Sequence, residues 1–215
     1  METYSFPHMP EALQDVHIAL FRSITCGAKL RQRLISAAAM PADAAGDAER
    51  EAVNFAFIDA AMILSLQQLL TAVHQALLIA SRGSASEGVQ GGMRTASIHG
   101  EIIFALHPAN NIGEALRNFG VGPQTKDLLI IRVSASESTS GSTFKKSLLE
   151  QMVSLAQQKP DTQGLVQSLS ANTDVDKIRK AYKLSNTSLG AEVKGSDSAL
   201  EELVVSTIAM KSVAG

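Results

Sequence analysis

His99-Gly100-Glu101 has the spacing of a catalytic signature. In zinc-dependent nucleobase deaminases an H-x-E supplies one metal ligand and the carboxylate that shuttles the proton. That chemistry also requires a P-C-x-x-C to complete the zinc site, and Cys26 is the sole cysteine, so the reading fails. A two-residue period equally places His99 and Glu101 on one side of a strand entrance, which is structure without chemistry. The five histidines, His8, His17, His74, His99 and His107, have no metal-ligand spacing. Gly120-Val121-Gly122 follows a helical pattern and runs into Pro123, whereas a phosphate-cradling loop needs its glycines after a strand and before a helix. It reads as helix termination. The sequence contains no G-x-S-x-G elbow and no GK[ST], so no catalytic residue, cofactor or metal is expected, and the chain does not read as an enzyme.

Binding chemistry is better represented. Lys177, Arg179, Lys180 and Lys183 surround Ile178, Ala181 and Tyr182, giving a short helix a basic face and one aromatic, a combination used on RNA and equally compatible with a solvated helix surface. Near the C-terminus, Leu200, Leu203, Val204, Thr207 and Ile208 form one apolar stripe, and Val205, Ala209, Met210 and Val213 a second. One stripe can pack on a core; a second needs another partner, because large exposed apolar patches are rare on monomers. Cys26 reads as a small buried hydrophobe.

These residues need elements to position them. The clearest punctuation lies between residues 101 and 133. Residues 101–106 (EIIFAL) and 128–133 (LLIIRV) are short apolar runs of strand length. Between them Asn111 can cap a helix with Glu114 three residues on, and Ile112, Ala115, Leu116 and Phe119 form its apolar face before Gly120. Upstream, 16–21 (VHIALF) and 53–58 (VNFAFI) read as strands, 28–38 as a helix, and 39–50 as a loose connector. Ser65-x-x-Gln68 opens a patterned helix in which Leu66, Leu69, Leu70, Val73, Leu77 and Ala80 recur at helical spacing. Helices follow at 144–156, 174–184 and 198–212, and Gly/Ser-rich stretches at 81–92 and 134–142 read as flexible loops. The expected fold is α/β: a central sheet of about four strands, parallel or mixed, flanked by helices, with a helical C-terminal segment, in one domain over 1–215.

Composition sets the outer limits. With 215 residues, 45% of them hydrophobic, a sizeable core is available. The formal net charge of -2 provides no general field for phosphate backbones, so any nucleic acid must be met by a local basic patch. A lone cysteine fits a reducing compartment. The N-terminus has neither the basic start nor the apolar stretch of a secretory signal, no apolar run reaches membrane-spanning length, and the sequon Asn186-Thr187-Ser188 is therefore expected to stay unmodified.

In combination the motifs resemble one family. VHIALF with GAKLRQRL, then NFAFIDAAMILSLQQLLTAVHQALL, then R-x-x-x-x-H-x-EIIFALHPANNIGEALRNFGVGPQTKDLLIIRV from Arg94, then DVDKIRKAYKL before a terminal helix, are similar in order and content to the kinase-binding subunit of the KEOPS (EKC) complex, the TPRKB-like proteins. The resemblance covers nearly the whole chain; the departures are the two Gly/Ser-rich loops. It implies a non-catalytic subunit of nucleus and cytoplasm that docks on a small atypical kinase/ATPase (PRPK-like). Through that kinase it would serve the enzyme that makes threonylcarbamoyladenosine in tRNAs reading codons beginning with A. It also implies contact with the tRNA 3′ end and a link to telomere maintenance. On this reading the kinase would be met by Leu69, Val73, Leu200, Leu203, Val204 and Thr207, and tRNA by Arg94, Lys177 and Lys180. A stand-alone RNA-binding module is the alternative.

Overall fold

The computed structural model describes residues 1–83, 92–136, 141–169, 172–184 and 197–211. In chain order the elements are β1 (Glu2–Ser5), β2 (Asp15–Phe21), α1 (Gly27–Ala39), α2 (Ala44–Ala52), β3 (Ala56–Asp59), α3 (Leu66–Gly83), α4 (Ile98–Leu106), α5 (Ile112–Asn118), β4 (Leu128–Ser134), α6 (Gly141–Ala156), α7 (Leu165–Leu169), α8 (Val175–Ala181) and α9 (Asp197–Met210). They belong to two compact units, one of Met1–Asp59 with Gly120–Thr162 and one of Ala60–Phe119 with Gln163–Gly215.

The first unit holds the sheet. Its strand order is β1-β2-β4-β3, and each neighbouring pair is antiparallel, with Val16 opposite Val133, Ile18 opposite Ile131 and Phe57 opposite Ile130. Every residue of β2 is buried, which accounts for its nearly unbroken apolar sequence. Phe21, Phe57, Leu128 and Ile130 from the strands pack with Leu30 and Ala37 of α1 and Leu148, Met152 and Leu155 of α6 in one apolar cluster. Cys26 is part of it, its thiol donating to the Ala156 carbonyl at 3.1 Å. A Cβ on Gly27 would stand 2.5 Å from the Gly122 carbonyl oxygen, so only glycine fits where α1 starts. Beyond β2, Arg22 bridges Asp127 (2.8 Å) and Asp161 (3.1 Å), and the Ser23 N–H donates to Asp127 with Ser23 at φ 52°.

The second unit is helical, and several sequence expectations change in these units. Residues 101–106, expected as a strand, are α4, whose N-cap Ser97 accepts from the Gly100 N–H. A short run that is apolar on all sides fits a buried helix as well as a buried strand, and here the cap and the burial of seven of the nine residues select the helix. His99 and Glu101 accordingly lie in a first helical turn and not at a strand entrance. Residues 39–50, expected as a connector, are mostly α2: Asp43 caps it by accepting from the Gly46 N–H at 2.7 Å, and Arg50 ties back to the Met40 carbonyl and Asp47. Strand β3 starts at Ala56, three residues later than read, because Val53 closes α2. Strand β1 and helix α7 had no sequence counterpart.

Other expectations stand. Asn111 caps α5 by accepting from the Glu114 N–H, and Ser65 caps α3 by accepting from Gln68, whose own amide oxygen takes the Leu64 N–H. The expected apolar face of α5 is split: Ala115 and Phe119 are buried, whereas Ile112 and Leu116 are 37% and 49% exposed. The sequon and most of the two Gly/Ser-rich loops (84–91 and 137–140) lie outside the described residues.

Candidate functional site

The residues singled out for binding all fall in the helical unit. Its centre is the packing of α3 on α4 and on α9. Leu69 and Val73 of α3, and Leu200 and Val204 of α9, are fully buried; Ile208 continues the α9 stripe inward. Leu203 and Thr207 are partly exposed, and Met210 is 58% exposed. The two apolar stripes expected on the terminal helix are therefore divided differently. Leu200, Val204 and Ile208 at i, i+4 and i+8 face inward, and Leu203, Thr207 and Met210 form the outer stripe.

That outer stripe walls a shallow groove of about 470 Å³, closed on its other side by Pro108 and Asn110 of the α4–α5 connection, with Ser206 and Lys211 completing the lining. A second groove of about 520 Å³ runs between α3 and α9, lined by Leu66, Gln67, Leu70, Thr71, His74, Gln75 and Ala209. Helix α9 is thus a ridge with a groove on each flank. The Gln75 amide donates to the Ala209 carbonyl at 3.2 Å across the second groove. Apart from Lys211, the lining carries no permanently charged side chain, so these grooves suit apolar anchors and not phosphate.

A polar cluster supports one rim. Glu101 is wholly buried, and its Oε2 accepts from the main-chain N–H groups of Arg94 and Thr95 (both 3.0 Å) and from the Thr95 hydroxyl (2.9 Å). Arg94 is held with its guanidinium carbon 5.8 Å from the centroid of the Phe104 ring, exposed to solvent. The Lys211 ammonium lies 3.6 Å from the same centroid and donates to the carbonyls of Phe104, His107 (2.7 Å) and Ala109 (3.4 Å). Burial pushes the Lys211 amine down to about 8, with Glu101 pulling it up and Arg94 pressing it further down.

The basic helix α8 is anchored through Ile178 and Tyr182, both buried, and the Tyr182 hydroxyl donates to the Leu106 carbonyl at 2.6 Å. Burial raises the Tyr182 phenol well above its ordinary value. Lys177 and Lys180 are exposed; Lys177 pairs with the N-cap Asp174 at 2.9 Å, and that interaction holds the Asp174 carboxyl below its usual range. Arg94 and the α8 lysines thus belong to separate elements, both tied to α4.

Lys211, Pro108, Asn110 and the Arg94–Glu101 contact were not singled out in the sequence. A lysine just after a helix is a capping signal only for that helix, and here it caps another one more than a hundred residues away. Among the described residues, no group of three or more His, Cys, Asp and Glu side chains converges on a metal-sized site, and no helix is long and apolar enough to cross a membrane.

Comparison with known proteins brings these features into register. Residues 21–212 match the family model described as "Kinase binding protein CGI-121". The chain is 34% identical over 184 residues to the EKC/KEOPS complex subunit cgi121 of Aspergillus fumigatus, covering 86% of this chain and 84% of that protein. It is 32% identical to the protein of the same name in Aspergillus terreus, covering 98% and 96%. With EKC/KEOPS complex subunit CGI121 of Gibberella zeae it shares 29% identity, covering 99% of each.

Proposed function

The chain belongs to the CGI-121 family of kinase-binding proteins, and from that premise we propose that it is a non-catalytic subunit of an EKC/KEOPS complex that docks a small atypical kinase/ATPase on its helical unit. Through that kinase it helps recruit tRNA for threonylcarbamoyladenosine modification, in nucleus and cytoplasm, with a role in telomere maintenance. One observation carries the docking site: α9 is a ridge whose outer stripe, the partly exposed Leu203 and Thr207 and the exposed Met210, stands between two grooves whose lining is apolar and uncharged polar apart from Lys211. Leu69, Val73, Leu200 and Val204 are buried and serve by holding that ridge in place; contact with the kinase falls to Leu203, Thr207 and their neighbours. Exposed Arg94, Lys177 and Lys180 supply the local positive charge for tRNA that the net charge of -2 does not.

The test is copurification with the kinase. Leu203→Asp, at a partly exposed position, retains the fold and weakens kinase binding by about 2 kcal/mol or more, as expected for a charge placed in the centre of an apolar contact. Undiminished binding refutes the docking site. Arg94→Glu with Lys180→Glu weakens tRNA binding and flattens its salt dependence; unchanged affinity refutes that assignment. Tight tRNA binding by the isolated chain at physiological salt, without any kinase, favours instead a stand-alone RNA-binding module.

A further inference from the structure

Lys211 follows α9 but satisfies the end of α4. Its ammonium donates to the Phe104 carbonyl in the last turn of α4, which also takes the His107 N–H, and to the carbonyls of His107 and Ala109 just beyond that turn, and it lies 3.6 Å from the centroid of the Phe104 ring. Three carbonyls use its three N–H donors, so it is not an anion ligand in the way exposed Arg94 can be. The charged and titratable groups around it are Glu101 and His107 of the α4 segment and Arg94 before it.

The last turn of α9 is otherwise held by the Gln75 amide, which donates to the Ala209 carbonyl, and by Ile208. Ala209 and Met210 are exposed, and Ile208 is the only buried side chain in that turn. Pro108 and Asn110 lie in the very connection whose carbonyls Lys211 holds, and they face Thr207 and Met210 across the groove. One cation therefore joins the two walls.

We propose that Lys211 is a positioning residue for partner docking: by clamping the end of α9 to the α4–α5 connection it fixes the width of the groove that the kinase's apolar anchor enters. This rests on the docking reading above. The experiment compares full-length wild type, Lys211→Met, Lys211→Arg and Leu203→Asp by calorimetric titration with the cognate kinase subunit well below the melting transition. Amide hydrogen exchange is followed on the same proteins. Lys211→Met is expected to weaken binding about tenfold, the scale of one lost charge-assisted anchor, and to speed exchange only in the last turn of α9 and in 107–111. Lys211→Arg recovers part of the affinity. A role confined to stability would lower the melting temperature and leave the affinity of the folded protein as it was. Wild-type affinity in Lys211→Met together with lost binding in Leu203→Asp overturns the proposal and keeps the docking site; wild-type affinity in both overturns the docking site itself. Should Lys211→Met fail to fold, the wild-type ammonium resonance decides: a signal protected from exchange supports the clamp, and a freely exchanging one removes it.

Discussion

At the scale of single residues, Glu101 illustrates how a functional-looking motif is absorbed by structure. One carboxylate oxygen receives two main-chain N–H groups and a hydroxyl, while the other is buried without a hydrogen-bond partner. The pattern that suggested a proton shuttle is a brace for the backbone at Arg94 and Thr95. Removing it takes the acceptor from two part-buried main-chain donors, each at the low end of a cost of about 1–3 kcal/mol, so Glu101→Ala is expected to destabilise the protein by about 2 kcal/mol. Glu101→Gln, which keeps one acceptor, should cost less. Equilibrium urea unfolding reads the difference, and a loss below about 0.5 kcal/mol in the alanine variant would show that the brace is idle, since surface substitutions fall in that range. The sequence made Glu101 visible by its neighbour His99 and hid its role, because two of the three donors it binds are main-chain groups with no residue signature.

Elements were legible where a capping side chain precedes a clear helical pattern; Asp43 and Ser97 cap α2 and α4 without one. Asn111, Ser65 and Asp174 cap α5, α3 and α8, and all three are polar residues standing before an apolar pattern. α4 was misread because its apolar run lacks a polar face to reveal a 3.6-residue period, and α2 because its caps sit among alanines that resemble a linker. The cap of α8 has a measurable consequence. Asp174 accepts from the Lys177 N–H and pairs with its ammonium, so Asp174→Ala should cost about 1 kcal/mol. The folded-state pKa of Asp174 lies below the ordinary 3.8, hence its contribution is present above that value and is lost as pH falls through the lower, folded one. Wild type and Asp174→Ala should therefore differ in melting temperature near neutrality and converge in strong acid. A difference that persists unchanged at pH 2 would place the effect elsewhere.

At the scale of the whole molecule, neither unit is a continuous piece of chain: each is assembled from two segments, with the other unit's sequence between them. The antiparallel order β1-β2-β4-β3 follows this arrangement and could not be read from strand spacing, since pairing depends on where the connections return. The apolar stripe of α9 was legible in the sequence, but which half of it faces inward was not, because the stripes differ in what packs against them and not in composition. A chain stopped at residue 184 loses Leu200, Val204 and Ile208, whose burial contributes on the order of 5 kcal/mol together. That is comparable with the stability of an entire domain. Such a truncated chain should show reduced helicity by circular dichroism and lose amide-exchange protection throughout α3, α4 and α5; protection retained there would mean that these helices hold together without α9.

The contacts that complete the helical unit span long stretches of sequence: Gln75 to Ala209 is a separation of 134 residues, and Lys211 to Phe104 one of 107. Helical proteins usually fold quickly because their contacts are local, and this unit forgoes that advantage. During synthesis α3, α4 and α5 must wait, with their apolar faces open, until residue 211 has been made. The groove beside α9 is then among the last surfaces to form, so a partner that recognises it selects finished molecules over unfinished ones.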